Sequence, residues 1–154
     1  MKRILPLLLI LCVPLMGADK DKPLPKDIPS LTTLAEKGDA RAQGQLAVNY
    51  TYGKGVEQDY AKALVWAKKS AEQEIPSGMF VLGRSYQLGN GVKVNFVESV
   101  KWYRKSADQG YAAAQNNLGW MYGQGRGVER DFKEAMKWYR KSADQGYAAA
   151  QNNL

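Results

Sequence analysis

A chain of 154 residues, 45% hydrophobic and 24% charged, is long enough for one domain with its own core and too apolar for general disorder. It has no histidine and one cysteine, Cys12, so the commonest general base and, that thiol aside, the commonest transition-metal ligands are missing. Its formal net charge of +7 suits an acidic partner, an anionic surface or plain solubility, and does not choose among them.

Residues 1–18 have the layout of a secretory signal peptide. Lys2 and Arg3 give a basic start, Ile4 to Met16 an apolar run, and the small Gly17 and Ala18 precede the charged Asp19-Lys20-Asp21-Lys22. The run of 13 residues, broken by Pro6 and Pro14, is short for a membrane span. Leu11 stands where lipid attachment at Cys12 would need a small residue. Cleavage after Gly17 or Ala18 would make the protein periplasmic or secreted, with membrane contact only through the export signal. The mature chain would have no cysteine, hence no disulfide, and 20 basic residues against 15 acidic ones, a net +5. Residues 19–29, with Pro23, Pro25 and Pro29 among alternating charges, read as a flexible, extended linker.

The remainder, 30–154, repeats itself. Trp66, Trp102 and Trp138 are 36 apart, as are Tyr50, Tyr86 and Tyr122, and Leu46, Leu82, Leu118 and Leu154. Gly55-Val56 returns as Gly91-Val92 and Gly127-Val128, and Lys101 to Leu118 is identical to Lys137 to Leu154 over all 18 positions. A fixed period of this size signals stacked supersecondary units. In chain order, Ser30 to Lys37 reads as the degenerate second helix of a preceding unit, closing the N-terminal end. Helices are then expected near 39–52, 59–73, 76–88, 95–109, 112–124 and 131–145, paired around glycine loops.

The second helix of each pair carries a one-sided stripe. Tyr60, Ala63, Leu64, Ala67, Ser70 and Ala71 fall at helical spacing, and the pattern returns from Phe96 to Ala107 and from Phe132 to Ala143. Asp59, Asn95 and Asp131 precede these helices as N-caps, and Asn95 with Glu98 and Asp131 with Glu134 have capping-box spacing. The first helices are less oily. Ala47, Gly83 and Gly119 follow the repeated leucine, where a missing side chain lets two helices approach closely. The expected fold is all-α: an α-solenoid (α/α superhelix) of helix-turn-helix units at 34–69, 70–105 and 106–141, with a partial fourth at 142–154.

The run Ala-Gln-x-x-Leu-Gly-x-x-Tyr at 114–122, followed by Gly125-x-Gly127-Val128, Asp131, Ala135, Trp138-Tyr139 and Ala143, closely resembles the Sel-like repeat (SLR) family, relatives of the tetratricopeptide repeats with a longer loop between the helices. Three copies fit, and the 36-residue period with the Gly-x-Gly-Val loop separates them from the 34-residue tetratricopeptide pattern. The resemblance implies an adaptor or regulator of protein complexes, many bacterial members being exported. The second copy departs most, with Glu74 for the usual glycine, Met79 for glutamine and Ser99 for alanine, which points to looser packing there.

Several tempting sites have plainer explanations. Gly123-Gln124-Gly125-Arg126-Gly127 looks like a phosphate loop, but a helix rather than a strand precedes it and its glycines recur in every unit. The tryptophans at one repeated position suit packing between units better than a ligand cage. Lys68-Lys69, Arg104-Lys105 and Arg140-Lys141 sit towards helix C-termini, where cations favour the dipole and face water, so nucleic acid is not an expected partner.

Positions that differ between units are better candidates for binding. On the first helices these are Gln45, Val48, Asn49 and Tyr52, then Val81, Arg84, Ser85 and Leu88, then Asn117, Trp120, Met121 and Gln124. In related solenoids the first helices line the concave surface. The expected partner-binding set is Trp120, Met121, Asn117, Arg84, Val81, Leu88, Val48 and Tyr52, centred on Trp120, the one tryptophan outside the repeating set. The rival reading packs Trp120 against the next unit.

The expected function is thus an exported scaffold that holds a protein or peptide partner, favourably an acidic one, on its concave face. No catalytic residue, metal or cofactor is expected. One alternative is a cell-envelope enzyme binding or hydrolysing β-lactams, as linked to cysteine-rich relatives; this chain lacks their paired cysteines, any Ser-x-x-Lys motif and any histidine. Another is a truncated remnant without function. The sequence stops at Leu154 within a fourth first helix, so either the array continues or the uncapped end invites self-association.

Overall fold

The computed structural model describes residues 22–154, so the signal-peptide reading and the first part of the linker lie outside it. Among the described residues there are eight α-helices and no strand: α1 (Ile28–Glu36), α2 (Ala40–Tyr52), α3 (Tyr60–Glu72), α4 (Pro76–Leu88), α5 (Phe96–Asp108), α6 (Ala112–Gln124), α7 (Phe132–Ala143) and α8 (Ala148–Gln151). Helices α1 to α7 each fall within two residues of their expected bounds, and α8 lies in the partial fourth unit. They pair as first and second helices, and each packs on its chain neighbours to build an α-solenoid.

Local chemistry sets the ends. The side chains of Asp59, Asn95 and Asp131 accept from the backbone N–H of Lys62, Glu98 and Glu134 at 2.9, 3.1 and 3.0 Å. Asp27 and Asp39 cap α1 and α2 in the same way. The capping box is only half made. The cap N–H groups of Asn95 and Asp131 donate instead to the carbonyls of Tyr86 and Tyr122, and Glu98 and Glu134 pair with Lys101 and Lys137 at 2.6 and 2.9 Å. The tyrosine carbonyl at the end of each first helix thus fixes the start of the second.

First helices end on left-handed glycines, Gly53, Gly89 and Gly125, with φ of 67°, 75° and 64°. The second glycine of the loop serves packing between units. A Cβ on Gly127 would lie 2.2 Å from the Phe96 carbonyl oxygen of the preceding unit. These are tight helix connections.

Two polar contacts recur at the joints. Ser70, Ser106 and Ser142 are fully buried, and each hydroxyl donates to the first carbonyl of its own unit's first helix: Ala40 at 2.9 Å, and Pro76 and Ala112 at 2.7 Å. Gln43 and Gln115 donate to the carbonyls of Ala35 and Ala107, tying a first helix to the end of the second helix before it. Gln73 and Gln145 then donate to Gln43 and Gln115. Met79 interrupts this ladder, leaving Gln109 with a thioether acceptor at 3.7 Å.

The second unit is nevertheless not loosely packed, contrary to the expectation from its sequence. Met79, Phe80, Val81 and Leu82 are all buried, and Phe80 lies against Tyr103 and Tyr111 with ring centroids 6.0 and 5.2 Å away. Ser99 is fully buried and donates to the Gly83 carbonyl at 2.8 Å, so its extra hydroxyl is satisfied. Backbone strain marks the unit instead. Glu74 has φ of 59° where Gly38, Gly110 and Gly146 adopt the left-handed region without a side chain.

At the N-terminal end Leu31 and Ala35 of α1 are buried with Ala42 and Leu46, so α1 covers the first unit as expected. The linker reading is corrected from Lys22 onwards. Leu24 packs on this small core, Arg41 donates to the Lys22 carbonyl, and α1 begins at Ile28, within the stretch expected to be flexible.

Candidate functional site

Among the first helices, the inner helices of related solenoids, α2 packs directly on α4, and no other pair of helices two apart in the chain packs to a comparable extent. Helices α2, α4 and α6 have 13 residues each and contain not one carboxylate; their only charged residues are Arg41 and Arg84. Among the described residues the acidic ones all lie in loops, caps and second helices.

The expected binding residues divide sharply by burial. Val81 and Met121 are fully buried and Val48 is 9% exposed; all three belong to the continuous core, so they cannot touch a partner. The reason is geometric. Each inner helix is clasped by second helices on both sides, which leaves a narrow stripe open, at position 13 of each 13-residue helix and at position 9 of α4 and α6. On that stripe Tyr52 is 40% and Leu88 48% exposed, Arg84 and Trp120 are half-buried, and Gln124 is exposed.

Arg84 lies over the Tyr52 ring, its guanidinium carbon 5.0 Å from the centroid. Trp120 stands in the same register to Leu88, one unit further on. One part of Trp120 packs on the core, and Arg126 reaches over it, 5.8 Å from its centroid and 5.0 Å from that of Phe96. It is both a packing residue and a partly open one. Asn117 is half-buried and held by the Tyr103 hydroxyl, to which it donates at 2.9 Å; that hydroxyl donates to Gln87 at 2.6 Å.

Tyr103 is fully buried, and burial pushes its phenol well above the usual tyrosine range despite the hydrogen bond from Asn117 and the positive charge of Arg84. Burial also raises Tyr52, offset in part by Arg84, and Tyr111, to which Tyr52 and Tyr147 add. Arg84 thus acts on the phenols of Tyr52 and Tyr103, of which Tyr103 is held by hydrogen bonds on both sides. Sequence reasoning missed Tyr103, Gln87, Tyr111 and Tyr147. Tyr111 and Tyr147 lie in the exactly repeated block and so read as framework; the substitution of Asp39 and Ile75 at the same position was the available signal.

Elsewhere the polar groups are committed. Lys69, Lys105 and Lys141 lie over Trp66, Trp102 and Trp138 at 4.7, 4.8 and 4.5 Å. A cleft of about 380 Å³ beside the first loop is lined by Tyr50, Val56, Glu57, Gln58, Asp59 and Lys62, and includes no expected site residue. Among the described residues no cluster of three or more potential metal ligands occurs, and no helix is long and apolar enough to cross a membrane.

Comparison with known proteins agrees with this architecture. The Sel1 repeat pattern matches residues 40–74, 76–111 and 112–147. A protective antigen present in uropathogenic Escherichia coli strains, c5321, which displays an SLR fold, is 43% identical over 82% of this chain, with a TM-score of 0.72. The chain spans only 27% of that protein's length. A Sel1 repeat protein from Oxalobacter formigenes is 36% identical over 82% of this chain and 95% of its own, with a TM-score of 0.68. Cysteine-rich protein B of Helicobacter pylori shares the fold at 20% identity and a TM-score of 0.65, over 80% of this chain and 94% of its own. No curated protein matches significantly. With three repeats matched across most of its length, the chain belongs to the Sel1 repeat family.

Proposed function

We propose that this protein is an exported scaffold, periplasmic or secreted, that holds a protein partner on the open stripe of its inner helices. Sel1 repeat proteins are generally protein-interaction scaffolds and generally non-catalytic. The observation that carries the reading is the contrast between committed and uncommitted side chains. Repeated positions are used up in joints and caps, whereas Tyr52, Arg84, Leu88 and Trp120 vary between units and remain open along one stripe. An aromatic, a cation and an aliphatic residue on a rigid concave surface are suited to anchoring a peptide segment or helix.

Affinity capture from envelope extracts with the wild-type chain and with Trp120→Ala tests it. A partner retained by the first and lost by the second, with unchanged helicity, is the expected result. Equal capture by both would remove the stripe as the binding face.

A further inference from the structure

Arg84 is the one charged side chain on the open stripe, and nothing in its surroundings neutralises it. Its Nε is covered and has no acceptor among the described residues. No carboxylate pairs with it among those residues either, where the ion pairs are Lys62–Asp59, Lys101–Glu98 and Lys137–Glu134. A half-buried guanidinium has given up part of its hydration, and a planar fork of donors recovers most from a carboxylate that meets it in its own plane. Tyr52 holds the group flat from one side. One turn further along α4 lies exposed Leu88, and Trp120 is half-buried at the position of α6 equivalent to Arg84.

Resting on the scaffold reading above, we infer that the bound segment is acidic-apolar: one Asp or Glu side chain seats on Arg84, and an adjacent apolar side chain lies against Leu88 and Trp120. Charge complementarity selects this occupant. The inner helices carry no carboxylate to compete for Arg84, and the second inner-layer cation, Arg41, is engaged with the Lys22 carbonyl. A single guanidinium flanked by aromatic and aliphatic surface matches one negative charge; a phosphate backbone calls for a track of cations.

The test is a selection of random peptides, displayed with blocked C-termini, on the full chain and on Arg84→Gln. Acetylated and amidated forms of the enriched peptide, and of its Glu→Gln counterpart, are then measured on both proteins. On the wild type the acidic form should bind about ten- to hundredfold tighter, the range for a charge-assisted hydrogen-bonded pair. On Arg84→Gln the two forms should bind alike. Enriched peptides without Asp or Glu, a preference that survives Arg84→Gln, or binding that requires a free C-terminus would each overturn the carboxylate assignment while leaving the scaffold reading intact. Failure of the wild type to enrich any peptide would sink both.

Discussion

Adding one methyl group to α4, by Gly83→Ala, should weaken the protein even though alanine is the better helix former. On an open helix the change stabilises by about 1 kcal/mol. Here the new Cβ would sit 2.6 Å from Cδ1 and 2.9 Å from Cε1 of Tyr103. That ring is fully buried and its hydroxyl is held by Gln87 and Asn117, so it cannot swing aside without breaking those bonds. Overpacking costs about 1–3 kcal/mol, and losing a hydrogen bond about 1 more, so against the helix-propensity gain the net effect should be a loss of about 1–3 kcal/mol. The control is Gly123→Ala in α6, where the nearest atom is the Ala135 Cβ at an ordinary 3.8 Å; it should keep about 1 kcal/mol of gain. The first unit supplies the rescue, since its equivalent positions hold Ala47 and Ala67. In a Tyr103→Ala background Gly83→Ala should become stabilising, a swing of about 2–4 kcal/mol between backgrounds. Urea unfolding followed by circular dichroism at 222 nm measures all of these. A Gly83→Ala protein as stable as wild type, or the same effect in both backgrounds, would refute the close-approach account.

Glu74→Gly should stabilise the fold by about 1 kcal/mol, because it removes a side chain from the left-handed region that glycine occupies at the equivalent positions; a loss of stability in urea would contradict the assignment of strain there. The second concerns acid. Backbone N–H groups of Ser30 and Lys62 hold the Asp27 and Asp59 carboxyls below the ordinary carboxylate range. Their stabilising contribution is complete above the unfolded value of about 3.9 and is lost as pH falls through the lowered folded values. An Asp27→Asn, Asp59→Asn variant, which keeps cap acceptors but cannot titrate there, should lose less stability than wild type between pH 5 and pH 2; parallel curves would show that these caps do not contribute to the acid limb.

The fold was legible because its signals are redundant. Helix positions followed from apolar spacing, their ends from Asp59, Asn95, Asp131 and the loop glycines, and their stacking from the 36-residue step. The open stripe proposed for binding was legible only in part. Variation between units picked out Tyr52, Arg84, Leu88 and Trp120 correctly as open or partly open, but also picked Val48, Val81 and Met121, which vary because the core shapes around them vary. How narrow an exposed stripe two flanking helices leave is a matter of interhelical distance, and no single-helix pattern encodes it. Tyr147 escaped for a different reason: it lies three units from Tyr52, and no spacing within one unit relates the two.

The joint between units has a genetic consequence. Lys101 to Leu118 and Lys137 to Leu154 are identical, and each stretch carries both sides of one seam: the alanine carbonyl at the end of a second helix, and the glutamine at the front of the next first helix that donates to it. A crossover between two such stretches of coding sequence would insert or delete a whole unit and re-form a matched seam without further change. Tyr52, Arg84, Leu88 and Trp120 all lie outside the duplicated stretches, with only Asn117 inside. Array length and recognition chemistry are thus written in separate parts of the unit, and either can drift while the other is kept.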